Sequence, residues 1–213
     1  MNEDFTGGPP EDFDRVGREQ LVALLEHGLL PTSTVADIGC GALRGGCWVI
    51  PLLEPGNYCG VEPNRSMVEA GLKNLDPEVV RLKRPRFSYN AEFDLSDFDT
   101  RFSHVLMRSI WTHASKRQIE ASLDSIVTWG AEDVVVLTSV IKPSRSPFSG
   151  RADYKGDSWV GRSHESDQPG MVAHSYGWIR KACEARELRV ERWNRPPLNG
   201  QYWLRVTRMQ RSV

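Results

Sequence analysis

Two acids flank a glycine-rich bend in the first third of this 213-residue chain. Asp37-Ile38-Gly39-Cys40-Gly41 ends one short apolar run, and Glu62 closes the next, about twenty residues further on. Glycines at 39 and 41 let the backbone turn tightly and approach a ligand with no Cβ in the way. An acid at the end of a second strand can accept both hydroxyls of a ribose. Together the two features point to an adenosine-type ligand. A dinucleotide site needs G-x-G-x-x-G, so that a helix N-terminus can approach a pyrophosphate. Here Arg44 occupies the third glycine's place. The Asp37 carboxylate would also repel phosphate; it suits a nucleoside carrying an ammonium and a sulfonium centre.

Such residues need a frame that sets two strand ends side by side, and the hydrophobic pattern supplies one. Phe13, Val16, Leu21, Leu24 and Leu25 recur at helical spacing, with Gly28 as a stop. Thr34–Ile38 and Tyr58–Val61 read as strands, separated by a helix through Trp48, Val49, Ile50 and Leu53. Asn64 or Ser66 can cap a helix carrying Met67, Val68, Ala70, Leu72 and Leu75. Phe87-Ser88-Tyr89 is a weak strand and Ser103–Met107 a stronger one, followed by a helix from Ser115 to Trp129. Asp133–Thr138 is continuous and β-branched, as a central parallel strand should be. About thirty polar residues follow, a length that usually marks a functional loop, before a helix between Ser175 and Arg186. Leu188–Trp193 and Tyr202–Val206 have no helix between them and should pair antiparallel. Strands alternating with helices predict an α/β fold with a parallel sheet covered on both faces. Residues 1–30 form a lead-in and helix in this scheme, and 31–213 one domain with a substrate loop at about 142–174.

Composition narrows the partners. A pool of 27 Lys and Arg against 28 Asp and Glu leaves a net charge of -1, which argues against nucleic acid or an anionic membrane. The basic cluster Arg81, Lys83, Arg84 and Arg86 reads as a solvated connection. No run approaches the roughly 18 apolar residues of a membrane helix, and the N-terminus shows no signal-like stretch. Cys40, Cys47, Cys59 and Cys183 form no CxxC pair, so no metal is expected and the cytoplasm is the expected compartment.

In these motifs the chain resembles the class I methyltransferases that use S-adenosylmethionine (SAM). Val35-Ala36-Asp37-Ile38-Gly39-Cys40-Gly41 resembles their first motif, and Gly60-Val61-Glu62-Pro63 the second-strand motif with its ribose acid. Phe102–His113 resembles their fourth-strand region, and His174-Ser175-Tyr176 is similar to members acting on small molecules. The resemblance runs from Val35 to Val206 and rests mostly on the first two motifs. It implies a Rossmann-like three-layer sandwich, a mostly parallel seven-stranded sheet with an antiparallel last strand, and SAM as cofactor. It further implies that Asp37 engages the methionine ammonium, that Gly39, Cys40 and Gly41 line the methionine and ribose, and that Glu62 holds the ribose. Asn90 and Glu92 fall where the family places an adenine contact, and Arg108 and Ser109 should face the cofactor. Arg44 either pairs with the methionine carboxylate or caps surface charge. His104 stands where the family commonly has Asp and is expected to precede the strand.

Methyl transfer from a sulfonium is an in-line displacement whose leaving group is already activated, so positioning supplies much of the acceleration. A hydroxyl acceptor also needs its proton removed, and histidine suits that task near neutral pH. His113 and His174 are the candidates, each with a purely structural histidine as the alternative. Trp111, Trp159 and Tyr176 could wall an acceptor pocket, and Trp159 stands alone in a polar segment. The expected function is methylation of a small-molecule acceptor, an oxygen nucleophile of a natural product or sugar-derived metabolite. The alternative is a SAM-binding protein of the same fold with a non-methylating role. A homodimer stays open.

Overall fold

The structure, a computed structural model, describes residues 12–141 and 172–210. Seven strands form one sheet in the order β3-β2-β1-β4-β5-β7-β6. They are β1 (Val35–Ile38), β2 (Tyr58–Val61), β3 (Arg86–Ser88), β4 (Phe102–Met107), β5 (Gly130–Ile141), β6 (Leu188–Arg192) and β7 (Gln201–Arg208). β1 pairs in parallel with both β2 and β4, so the strand order reverses direction at β1. β7 runs antiparallel between β5 and β6. The expected three-layer α/β sandwich with its antiparallel last strand is therefore present.

Parallel strands covered on both faces must be apolar throughout, and every residue of β1 and β2 is buried. Two cores result. One face packs Ile119, Leu123 and Ile126 of α5 (Lys116–Trp129) and Ile179 and Cys183 of α6 (Tyr176–Glu184) against the sheet. The other packs Ala23 and Leu24 of α1 (Phe13–Glu26), Val49 of α2 (Gly46–Val49) and Val68 of α3 (Arg65–Leu72). Helix starts follow local chemistry. Ser115 and Gln118 exchange the hydrogen bonds of a capping box at α5, and Asn64 accepts the Ser66 N–H at α3.

Several boundaries differ from the periodic pattern. On α1 the buried stripe is Phe13, Val16, Gly17, Gln20, Ala23 and Leu24, whereas Leu25 is exposed. The helix expected through Leu53 stops at Val49. The one expected to carry Leu75 ends at Leu72, and a further helix, α4, spans Pro77–Lys83. Proline at its first turn and the Asp76 side chain accepting from Glu78 N–H start α4. The basic cluster is divided: Arg81 and Arg84 are exposed as expected, and the other two turn inward. Lys83 donates to the Leu53 carbonyl, and Arg86 to the carbonyls of Gly56 and Phe98 and to Thr100. His104 lies inside β4 rather than before it, buried between Ser103 Oγ and the His27 carbonyl, and burial lowers its pKa.

Candidate active site

An open parallel sheet binds ligands at its carboxyl edge where the strand order reverses. In this chain that point is the gap between the ends of β1 and β4. A cleft of about 210 Å³ lies there, lined by Asp37, by Gly39, Cys40, Gly41, Ala42, Arg44 and Gly45 of the turn, by Glu62 and Met67, by Arg108, Ser109, Ile110 and His113, and by Gln20 of α1. The turn depends on left-handed backbone at Gly39 (φ 73°) and Gly41 (φ 52°). Leu43 adopts φ 58° as well, a conformation costing a non-glycine residue roughly 1–2 kcal/mol, and its fully buried side chain anchors the turn in the core. The missing Cβ at Gly39 makes room for protein rather than ligand: a methyl there would stand 2.1 Å from Ile110 Cδ1.

Carboxylates dominate the β1–β2 side. Glu62 Oε2 accepts the Gly41 N–H at 3.2 Å, and its Oε1 accepts the Asn64 N–H at 3.0 Å. Each oxygen keeps a lone pair for a further donor such as a ribose hydroxyl. Asp37 is almost completely buried and accepts the Tyr58 hydroxyl at 2.6 Å. Burial pushes its pKa up to about 6, against the pull of Tyr58 and with a smaller push from the Glu62 charge. The Cys40 thiol is also driven up, by burial first and then by Asp37 and Glu62, so it lines the cleft as a neutral group.

Two cations, Arg44 of the turn and Arg108 after β4, also line the cleft. Arg44 lies 5.7 Å from the Phe13 ring, and burial lowers its pKa against the opposing charge of Asp12. Arg108 is held at about 10 by burial, with the Glu19 carboxylate opposing that shift, and so stays charged at neutral pH. Its guanidinium donates to Ser139, Gln201 and the Leu198 carbonyl and stacks 5.2 Å over Trp203.

No protein-family model matches the sequence, and no curated protein is similar to it in sequence. Solved structures share its architecture closely. A S-adenosylmethionine-dependent methyltransferase from Clostridium acetobutylicum ATCC 824 superposes with a TM-score of 0.70 at 11% identity, covering 93% of each chain. The chain has the fold of the SAM-dependent methyltransferases. Magnesium protoporphyrin IX methyltransferase from Synechocystis PCC 6803 with bound SAH shares that methyltransferase fold at a TM-score of 0.65 and 16% identity, over 98% of this chain and 88% of that one. So does a ribosomal protein L11 methylase from Lactobacillus delbrueckii subsp. bulgaricus, at 0.57 and 12%, over 99% and 81%. One fold thus carries acceptors as different as a porphyrin and a ribosomal protein, so the acceptor must be argued from the site.

Within this methyltransferase fold, Asp37, Gly39, Cys40, Gly41, Arg44, Glu62, Arg108, Ser109 and His113 all meet at the cleft. Others do not. The Asn90 side chain bonds Ser88, the Asp94 carbonyl and the N–H groups of Glu92 and Asp94, and Glu92 accepts its neighbour's N–H. Both therefore tie up the loop after β3 rather than lining the cleft. Trp111 is fully buried in the core, because the chain turns inward after β4. His174 is buried with Nε2 2.8 Å from the Ala114 carbonyl and its ring 5.2 Å from Trp178. It borders a second hollow of about 690 Å³ with Tyr176, whose hydroxyl donates to the Val190 carbonyl. Trp159 and most of the expected substrate loop lie outside the described residues. Among the described residues no His, Cys, Asp and Glu group could hold a metal, and no helix is long and apolar enough to cross a membrane.

Sequence reasoning missed Gln20, Glu19, Ser139 and Gln201. Only Gln20 left a signal, being a polar residue on the apolar stripe of α1.

Proposed function

We propose that this chain is a SAM-dependent methyltransferase acting on a small-molecule hydroxyl. The observation that carries the reading is the pair of carboxylates around the bend. Glu62 takes up the Gly41 N–H that a phosphate would otherwise use, and Asp37 lies buried beneath the same turn. The donor set fits SAM. Glu62 can hold the ribose, Asp37 can meet the ammonium through water, and Arg44 can meet the methionine carboxylate. A pyrophosphate finds no counterpart, because α2 is only 4 residues long and starts at Gly46, beyond Arg44.

When bound, SAM supplies a methyl group on a positively charged sulfur, ready to leave. The chain's own part is to orient and deprotonate the acceptor. His113 is exposed at the cleft mouth, where its imidazole can take the acceptor's proton as the new carbon–oxygen bond forms. Asn90, Glu92, Trp111 and His174 have no place in this proposal, and Tyr176 has one only if the acceptor reaches the second hollow. Calorimetry with SAM, S-adenosylhomocysteine and NAD tests the cofactor. SAM and its product should bind and NAD should not; uptake of NAD alone would overturn the reading. Screening hydroxylated acceptors for S-adenosylhomocysteine release tests the chemistry, and His113→Ala should then lower kcat at least about 100-fold.

A further inference from the structure

The β4 wall of the cleft hangs on a side chain that no motif marks. Gln201 opens β7, and its Oε1 accepts hydrogen bonds from Arg108 Nη1 and from Ser139 Oγ, the latter at 2.6 Å. Its Nε2 donates to Ser109 Oγ at 2.8 Å. A guanidinium can only donate, so the amide must turn its oxygen toward Arg108, and this turns its nitrogen toward Ser109. Ser139 closes the ring by accepting from Arg108 Nη1 at 2.9 Å and from the Ser109 N–H at 2.8 Å. Gln201 itself does not line the cleft.

The ring fixes two things. Ser109 is held at φ 65°, a left-handed conformation a serine adopts only under constraint. The next residue, Ile110, is the one whose side chain fills the space over Gly39. The ring also holds the Arg108 guanidinium at the cleft with donor capacity to spare. Arg108 Nε lies 3.8 Å from Glu19 Oε2, and neither atom makes a hydrogen bond in the protein although both are buried. Glu19 thus balances the Arg108 charge at ion-pair distance without taking up its donors, which leaves the guanidinium able to donate to a second carboxylate.

Strand order says which end of a ligand arrives here. Glu62 follows β2 and Arg108 follows β4, on opposite sides of β1. A nucleoside with its ribose on Glu62 therefore meets Arg108 and Ser109 with its amino-acid end. We propose that Gln201 is a positioning residue that holds Arg108 and Ser109 for the carboxylate-bearing end of the cofactor; this rests on the SAM reading.

The test compares two probes by calorimetry: S-adenosylhomocysteine, and 5′-methylthioadenosine, which lacks the amino-acid end. Gln201→Ala should weaken the first about tenfold and leave the second unchanged. Gln201→Glu keeps an acceptor toward Arg108 and Ser139 and should hold the first within about threefold of wild type. Equal losses for both probes, or none for either, would overturn the proposal by reducing Gln201 to a structural or silent residue. Should the alanine variant not fold, Gln201→Leu carries the same expectation, since it fills the space without an acceptor. If the wild-type protein takes up neither probe, the cofactor reading fails first and this inference falls with it. If it binds both equally well, only this inference fails.

Discussion

The two halves of the cleft are built by different rules. Over β1 and β2, the site comes from one strand–turn–helix–strand unit: Asp37, the glycine bend, Tyr58 behind Asp37, and Glu62. It holds two carboxylates, and its hydrogen bonds run within that one unit. Over β4, β5 and β7, the wall is assembled from Glu19, Gln20, Arg108, Ser109, Ser139 and Gln201, scattered across nearly the whole chain. It pairs the Arg108 cation with the Glu19 carboxylate. Under the proposed function, a ligand with ribose hydroxyls at one end and an amino-acid group at the other would find the Glu62 carboxylate in the first half and the Arg108 guanidinium in the second. On that reading, the contrast teaches that groups for the ribose can come from one short segment, while part of the contact to the amino-acid end, through Arg108 and Ser109, needs groups that only the completed sheet brings together.

Four substitutions would break or sharpen that contrast. The largest effect belongs to Gly39→Ala. It combines a left-handed backbone with a collision against Ile110, a point where the two halves touch, and should cost about 2–4 kcal/mol in chemical denaturation. Glu62→Ala comes next. It should weaken S-adenosylhomocysteine and 5′-methylthioadenosine alike by about 100-fold, because it removes the acid meant for the ribose they share. A loss confined to the first probe would erase the division between the halves.

Asp37→Asn should act on stability with a definite pH signature. The folded pKa of Asp37 is raised to about 6 from 3.8, so the folded state prefers the protonated acid. Its contribution is fully present below the unfolded value and is lost as the pH rises through about 6. The uncharged asparagine should therefore stabilise the unliganded protein by on the order of 2 kcal/mol at pH 8 and by nothing below pH 4, as read from urea midpoints. The same variant should bind SAM more weakly above pH 6, where wild type offers the ammonium a carboxylate. The smallest effect is expected for Trp203→Phe. It removes the 2.8 Å bond from the indole Nε1 to Glu19, leaves that buried carboxylate short of a partner, and should cost about 1–2 kcal/mol in thermal unfolding.

The succession of strands, the bend, its acids and the antiparallel closing pair could all be read from the residues alone, whereas α4 could not. Apolar periodicity, turn chemistry and caps act within a few residues, so Val35–Ile38, Ser115 with Gln118, and Gly39 with Gly41 carry their own instructions. Partners across long separations were settled by packing. Motif position placed Asn90 and Glu92 at the ligand, yet loop hydrogen bonds claimed them. Residue type nominated Trp111 and His174, but burial drew Trp111 into the core and the Ala114 carbonyl anchored His174. Gln20 and Gln201 carry ordinary polar side chains, and they acquired their place at or behind the cleft only when α1 and β7 docked against the end of β4. A hydrogen bond's two ends have no covalent memory of each other, so only the folded chain decides which ends meet.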